Sequence, residues 1–165
     1  MSSEKAKQRT SNKVMKKMKE QKMEFNTENK VVKLCAEGME FEGKGENEKA
    51  SEIFERAWNL SQNDFEKFTS AHYVARHQKS IAEKLKWDEK ALNFALKIND
   101  KTIKGTLPSL YLNIGKCYED MNDFDNARLN YITGETYFEF LPSDGYGNMI
   151  KKGIESGIER INQQN

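Results

Sequence analysis

The sequence predicts an all-α fold, an α-solenoid of three stacked helical hairpins closed by a C-terminal capping helix and preceded by a basic N-terminal arm. Three observations predict it. Apolar residues recur at helical spacing, only two prolines interrupt the 165 residues, and one arrangement of small and aromatic residues occurs twice. This length favours one domain.

The clearer copy of that arrangement spans residues 111–134. The faces of its two helices carry Tyr111, Ile114, Gly115 and Tyr118, then Phe124, Ala127, Tyr131 and Gly134. Asn122, in the polar segment between them, is the predicted turning residue. Because small residues let two helix axes approach while the rings beside them fill the contact, we expect the two helices to pack on each other.

A second copy lies upstream. Gly38 and Ala50 are twelve residues apart, as are Gly115 and Ala127, and Phe54 follows Ala50 by four. At these residues the chain resembles the tetratricopeptide repeat (TPR) family, whose units of about 34 residues are helical hairpins. The resemblance covers roughly residues 30–142 and implies a small, bacterial-type, non-enzymatic adaptor.

The predicted boundaries follow from this resemblance. The arm covers residues 1–27 and the TPR-like domain residues 28–165, with repeats at about 30–63, 64–104 and 106–142 and a capping helix at 147–162. In the middle repeat we predict a long first helix from Phe65 to Leu85 and a second from Trp87 to Ile98, with Ala91 matching Ala50. In the third repeat the second helix is predicted to continue past Gly134 to Leu141.

The N-terminal arm is more basic than the rest of the chain. Residues 1–30 contain nine Lys or Arg and four Glu, whereas the whole chain has a net charge of +1. A solubilising tail, partly disordered or partly helical, is the favoured interpretation. The alternative is a segment that contacts nucleic acid, an anionic membrane or an acidic groove.

The TPR resemblance implies a concave groove lined by the first helix of each repeat. Tyr73, Arg76 and Ser80 are spaced to project together from the predicted long helix, and equal offsets locate groove positions in the other repeats. Arg76 then offers a donor fork for a carboxylate or phosphate, unless it pairs with an acid of a neighbouring repeat. The predicted partner-binding residues are Val32, Met39, Tyr73, Arg76, His77, Ser80, Leu112 and Lys116.

Catalytic chemistry has little support in the sequence. His72 and His77 are five residues apart, about 140° around a helix, so they do not share a ligand position. Cys35 and Cys117 lie in no metal-binding spacing. We predict no cofactor and no metal site, although a hydrolase or transferase at His72 and His77 stays an alternative.

The expected partner is a protein or peptide bound in the groove by a non-enzymatic adaptor. The alternatives are an RNA- or ribosome-associated factor that uses the arm, and homodimerisation through the arm or an uncapped repeat. A Lys-rich beginning without the apolar core of a signal peptide, and the lack of an apolar run long enough to span a bilayer, favour a cytoplasmic protein.

Overall fold

The computed structural model describes residues 28–164, which form helices and no strand. In chain order the helices are α1 (Lys30–Gly43), α2 (Asn47–Leu60), α3 (Asp64–Arg76), α4 (Ile81–Ala95), the short α5 (Lys101–Lys104), α6 (Leu107–Asp120), α7 (Phe124–Glu135), a 3₁₀ turn (Phe138–Phe140) and α8 (Gly145–Asn162). The predicted all-α helical-repeat fold is confirmed. The predicted arm, residues 1–27, lies outside the described residues.

The helices stack as hairpins in two layers. The hairpins are α1–α2, α3–α4 and α6–α7, and each following helix packs on the hairpin before it. α3 packs on both α1 and α2, and α8 packs in the same way on both α6 and α7. We call α1, α3, α6 and α8 the first-helix layer, because they hold the first position of each unit.

Side chains placed just before the helices fix where several of them begin. The Asn29, Asn63, Ser80, Asp123 and Asp144 side chains each accept a hydrogen bond from a backbone N–H in the first turn of the helix that follows. Such caps satisfy amide groups that have no partner within the helix, and each contributes about 1 kcal/mol.

The first and third hairpins turn in the same way. One residue with positive φ stands between the two helices, Gly45 at 76° and Asn122 at 60°. Glycine and asparagine are the residues that enter this left-handed region most readily. Asn122 is therefore confirmed as the turning residue.

The predicted close contact between small and aromatic residues is present in these two hairpins. A Cβ atom added to Gly38 would lie 2.3 Å from the Phe54 ring, and one added to Gly115 would lie 2.6 Å from the Tyr131 ring. Both rings are 0% exposed. Each ring therefore packs directly on glycine backbone, and no larger residue fits there unless the ring moves.

The middle hairpin corrects the sequence prediction. α3 ends at Arg76 and α4 begins at Ile81, so the single helix predicted from Phe65 to Leu85 is wrong. The physical reason is a cap at Ser80, whose hydroxyl accepts the Glu83 amide N–H at 3.2 Å. Ser80 and Glu83 have the S-x-x-E spacing of a capping box, a sequence signal for a helix start.

The structure also corrects the register of the middle repeat. α3 begins 34 residues after α1, whereas α6 begins 43 residues after α3. The extra length therefore follows α4, around α5, and is not in the first helix. Counted from the helix starts, Ala91 corresponds to Ala57 rather than to Ala50.

The same count gives the middle hairpin different side chains at the contact positions. His72 stands where the other hairpins have Gly38 and Gly115, and Asp88 stands where they have Phe54 and Tyr131. Lys84 corresponds to Ala50 and Ala127. The middle repeat therefore has polar residues where its neighbours have the close glycine–ring contact.

The end of α7 is a further correction. The helix ends at Glu135, so its predicted continuation to Leu141 is wrong. Tyr137 stacks on Tyr111 with ring centroids 6.0 Å apart, whereas Phe138 packs in the separate cluster beneath α8. The two adjacent rings thus belong to different clusters, and the chain leaves the α-helix to place them there.

The last helix, α8, covers the end of the third hairpin. Its Ile150, Ile154 and Ile161 side chains are buried in one cluster with Tyr131 and Leu141. The Arg160 guanidinium adds two hydrogen bonds to the Glu119 carboxylate, at 2.7 and 2.9 Å. Terminal units of stacked repeats need such a helix, because the last apolar face otherwise meets water.

Candidate functional site

A pocket of about 270 Å³ opens in the first-helix layer, between α3 and the start of α6. α1 contributes one wall and the first turn of α8 another. We call it the inner pocket; its lining residues are Val32, Phe65, Phe68, Thr69, His72, Tyr73, Thr106, Ser109, Leu110 and Tyr146.

The extra residues of the middle repeat, between α4 and α6, lie next to this pocket. α1 packs on α3, but in the described residues α6 packs on α4 and α7 rather than on α3. In α5, Ile103 is fully buried with Phe65, Phe68 and Leu110, which form the pocket floor. Ile103 of α5 thus packs in the core cluster that residues of α3 and α6 share beside the pocket.

The floor and the α6 wall are chemically apolar. Phe65 and Phe68 meet edge to face at 6.3 Å, and both are buried. The Thr106 hydroxyl donates to the Ile103 carbonyl at 2.7 Å, and the Ser109 hydroxyl donates to the Thr106 carbonyl at 2.8 Å. Because these hydroxyl protons are already used, the two hydroxyl groups offer a ligand only acceptor oxygens.

Two phenols stand at the pocket. The Tyr73 ring stacks on Phe54 with centroids 5.0 Å apart, which fixes its orientation. Burial raises the pKa of Tyr73, and the nearby Tyr146 phenol contributes in the same direction. Tyr73 is therefore a neutral phenol at physiological pH, able to donate or accept a hydrogen bond, whereas Tyr146 is 46% exposed.

His72 is the polar residue of the α3 wall. Burial, followed by the charges of Arg76 and Lys84, lowers its pKa from 6.5 to about 4, so the imidazole is neutral at pH 7. Its ring meets Tyr73 at 5.4 Å. Within residues 28–164 its Nδ1 atom is buried without a hydrogen-bond partner.

The buried carboxyl group of Asp88 is a second polar group behind the pocket. Asp88 is 0% exposed and pairs with Lys84, and the Cys117 thiol lies 3.9 Å from its Oδ2 atom. Burial raises the pKa of Asp88, and the Lys84 ammonium opposes that shift. We call His72, Lys84, Asp88 and Cys117 the polar core.

Of the predicted partner-binding residues, Val32 and Tyr73 line the inner pocket together. Arg76 and His77 instead both contact Glu42 of α1, at 2.9 and 3.0 Å. The alternative considered for Arg76, pairing with an acid of a neighbouring repeat, is therefore the arrangement seen. Arg76 also lies over the Tyr73 ring, 5.7 Å from its centroid.

The other predicted residues are dispersed. Ser80 caps α4, so the prediction that it projects with Tyr73 and Arg76 from one helix is wrong. Leu112 packs against α8, where a Cβ atom on Gly153 would lie 2.8 Å from it. Lys116 pairs with Asp120 one turn along α6, and Met39 is 42% exposed on α1.

The sequence prediction missed most of the pocket lining. Equal offsets do place Ser109 at the groove position that Val32 holds in the first repeat, and the register set by the helix starts would also have identified Thr69. Tyr146 carried no comparable signal, because its place depends on how α8 folds back over α6. The sequence singles out His72 only as an alternative catalytic residue with His77, not as a pocket residue.

Within residues 28–164 no group of three or more His, Cys, Asp or Glu side chains is arranged to hold a metal ion. Over the same range, no helix combines the length and apolarity that crossing a membrane requires. Burial raises the pKa of the Cys35 thiol to about 12 and also raises that of Cys117.

Comparison with known proteins gives one match. The family model described as Tetratricopeptide repeat matches residues 108–133, which lie in α6, α7 and the turn between them. No curated protein and no solved structure matches the chain. The matched segment contains the close contact between Gly115 and Tyr131. The resemblance drawn from the sequence is thereby confirmed: the third hairpin matches a tetratricopeptide repeat.

Proposed function

We propose that this protein is a non-enzymatic adaptor that holds a segment of a partner protein in the inner pocket. Stacked helical repeats are interaction scaffolds that bind along the surface their helices create. The observation that carries the proposal is an apolar pocket of about 270 Å³ in the first-helix layer, floored by aromatic rings.

The size of the pocket favours one anchoring side chain. Pockets for drug-sized ligands begin at roughly 300 Å³, slightly more than this one offers. Full burial of a Leu, Phe or Met side chain contributes about 1.5–3 kcal/mol. One anchor therefore gives weak binding, and contacts beside the pocket have to add the rest.

The chemistry of the lining indicates which side chain fits. Phe65, Phe68 and Leu110 favour an apolar or aromatic group, and the Tyr73 hydroxyl offers a polar contact at the edge. His72 is neutral at pH 7, so no full charge lines the pocket. A charged anchor would lose its hydration without compensation.

Site-specific photocrosslinking tests this proposal. A photoreactive phenylalanine analogue at Thr69, which lines the pocket, is compared with the same analogue at Glu155, which is exposed on α8. We expect position 69 to crosslink a discrete protein that position 155 does not. Equal crosslinking patterns at the two positions would contradict the proposal.

Filling the pocket provides the matched loss-of-function test. Thr69→Trp occupies the pocket, and Glu155→Trp adds the same side chain to an exposed surface. We expect Thr69→Trp to lower the affinity for the crosslinked partner at least tenfold and Glu155→Trp to leave it unchanged. Helical circular dichroism of both variants shows whether the fold is retained.

A further inference from the structure

A second surface, built from aromatic and lysine side chains, lies where α2, α3 and α4 meet. Trp58 of α2 and Trp87 of α4 contact each other edge to face, with ring centroids 5.0 Å apart, and Phe94 lies 6.1 Å from Trp58. All three rings are half-buried. We call it the Trp–Lys patch: Trp58, Trp87, Phe94, Lys67, Lys90 and Lys97.

Three ammonium groups cover these rings. The Nζ atom of each lysine lies within 5 Å of a ring centroid: Lys90 at 3.9 Å from Trp87, Lys67 at 4.7 Å from Trp58 and Lys97 at 4.7 Å from Phe94. Lys67 also lies 5.8 Å from the Phe94 centroid and Lys90 5.6 Å from the Trp58 centroid, so the three ammonium groups and the three rings form one continuous surface.

Few carboxylates lie within ion-pair distance of these lysines. Among residues 28–164, neither Lys67 nor Lys90 has a carboxylate within 4.0 Å, and Lys97 reaches only Asp64, at 3.8 Å. Lysine stems commonly pack on apolar rings while the ammonium group stays in water, which accounts for the packing of each lysine. It does not account for three ammonium groups gathered at one place with a single acid.

We propose that the Trp–Lys patch binds single-stranded nucleic acid. Unpaired bases stack on tryptophan and phenylalanine rings, and neighbouring lysines pair with the phosphates of the same strand. Phosphates would thus replace the rings as partners of the ammonium groups, and bases would cover the indoles.

The combination of groups favours this ligand over an acidic peptide. A run of carboxylates would neutralise the lysines but would leave the ring surfaces without a matching group. Double-stranded nucleic acid keeps its bases stacked inside the helix, where the rings do not reach them. The first 30 residues, with nine Lys or Arg against four Glu, add phosphate-pairing charge to the same chain.

The surface is independent of the adaptor proposal. Its rings belong to α2 and α4, and none of its six residues lines the inner pocket. Nucleic-acid binding at the patch and partner binding at the pocket are therefore separable by mutation.

Tryptophan fluorescence gives a direct test, because Trp58 and Trp87 are the two tryptophans of the chain. The full-length protein is titrated with single-stranded oligouridylate of roughly 12 nucleotides, within the usual length range for such sites. We expect saturable quenching. In the triple variant Lys67→Gln, Lys90→Gln and Lys97→Gln, the affinity at roughly 0.1 M salt should fall about 10-fold to 100-fold, and the slope of log affinity against log salt should flatten by about two.

The control variant changes charge equally elsewhere. Lys33→Gln, Lys79→Gln and Lys152→Gln remove three exposed lysines for which no ring contact is found in residues 28–164. This control should keep most of the wild-type affinity and quenching. Equal weakening in the two triple variants would overturn the proposal, because the binding would then depend on overall charge or on the N-terminal segment.

Other outcomes of the titrations also test the proposal. Absence of quenching by oligouridylate would overturn the proposal, and so would equal affinity for double-stranded DNA. Poly-glutamate that binds as tightly as oligouridylate and displaces it would identify the patch as a surface for acidic proteins instead. Thr69→Trp, which fills the inner pocket, should leave oligouridylate binding unchanged.

Discussion

The first and third hairpins differ from the middle one at equivalent positions. In the outer two, Phe54 and Tyr131 pack on glycines, whereas the middle hairpin has Asp88 opposite His72. The middle hairpin nevertheless keeps its two helices packed together. The glycine–ring contact is therefore one solution to hairpin packing rather than a requirement of it.

The middle hairpin is also the one next to the inner pocket. His72 belongs to both the polar core and the pocket wall, and its Nδ1 atom is a buried polar atom without a partner in the described residues. Departures from local rules concentrate at functional sites, where stability is given up for another purpose. The middle hairpin therefore differs from the other two both in its polar contact residues and in its position at the inner pocket.

Ring deletion should show the largest difference between the hairpins. Phe54→Ala removes a fully buried ring from the first hairpin and should lower the free energy of unfolding by about 3–5 kcal/mol. Asp88→Ala at the equivalent position should lower it by less than about 2 kcal/mol, because the Lys84 ammonium reaches water. Urea unfolding at pH 7 measures both, and equal losses would contradict the proposed difference between these hairpins.

Substitution of the facing residue should have a smaller effect. Gly38→Ala places a methyl group against the Phe54 ring and should cost about 1–3 kcal/mol, although alanine is the better helix former by about 1 kcal/mol. His72→Ala removes a poorly satisfied imidazole and should change stability by less than about 1 kcal/mol. Thermal unfolding of the pair tests this, and a stabilising Gly38→Ala would show that the ring moves aside easily.

The half-buried Glu119 and the buried Asp88 should give opposite pH dependences. The Arg160 and Tyr131 hydrogen bonds lower the pKa of Glu119 from 4.5 to about 2, so its stabilisation is complete above pH 4.5 and is lost as the pH falls towards 2. Burial raises the pKa of Asp88 above 3.8. The contribution of Asp88 to the free energy of unfolding therefore falls as the pH rises through and beyond that value.

Matched amide variants measure these two dependences. Relative to wild type, Glu119→Gln should be destabilised at pH 7 and should approach wild-type stability near pH 2. Asp88→Asn should gain stability relative to wild type as the pH rises above 4. Urea unfolding at several pH values provides the data, and slopes of the same sign would refute the assignment.

The smallest expected effect concerns the pair that joins α1 to α3. Arg76→Glu places a second carboxylate beside Glu42 and should cost about 1 kcal/mol or less, because Arg76 is substantially exposed. The swap Arg76→Glu with Glu42→Arg should restore stability. If the swapped protein binds its partner normally, Arg76 belongs to the scaffold; if the swap restores stability but not binding, Arg76 contacts the partner, as the sequence predicts.

The sequence predicted the repeat class because its signals are local. Gly38, Phe54, Gly115 and Tyr131 act through spacings within one hairpin, and Asn122 carries its own turn preference. The middle hairpin is not predicted correctly, because the apolar period continues through the cap that Ser80 and Glu83 form between α3 and α4. The pocket was not predictable in full, because Tyr146 reaches it through the packing of α8, which no local pattern encodes.

The central claim is that all three hairpins share one spacing and that the middle one has polar residues at its contact positions. The triple variant His72→Gly, Lys84→Ala and Asp88→Phe gives it the residues of the first hairpin, and guanidinium unfolding at pH 7 measures the outcome. Replacing a charged pair in a core by packed apolar groups is often neutral or stabilising by about 1–4 kcal/mol, and here the Asp88 side chain is buried although Lys84 reaches water. We predict a free energy of unfolding equal to or above that of wild type, and a loss of more than about 1 kcal/mol would contradict the shared register.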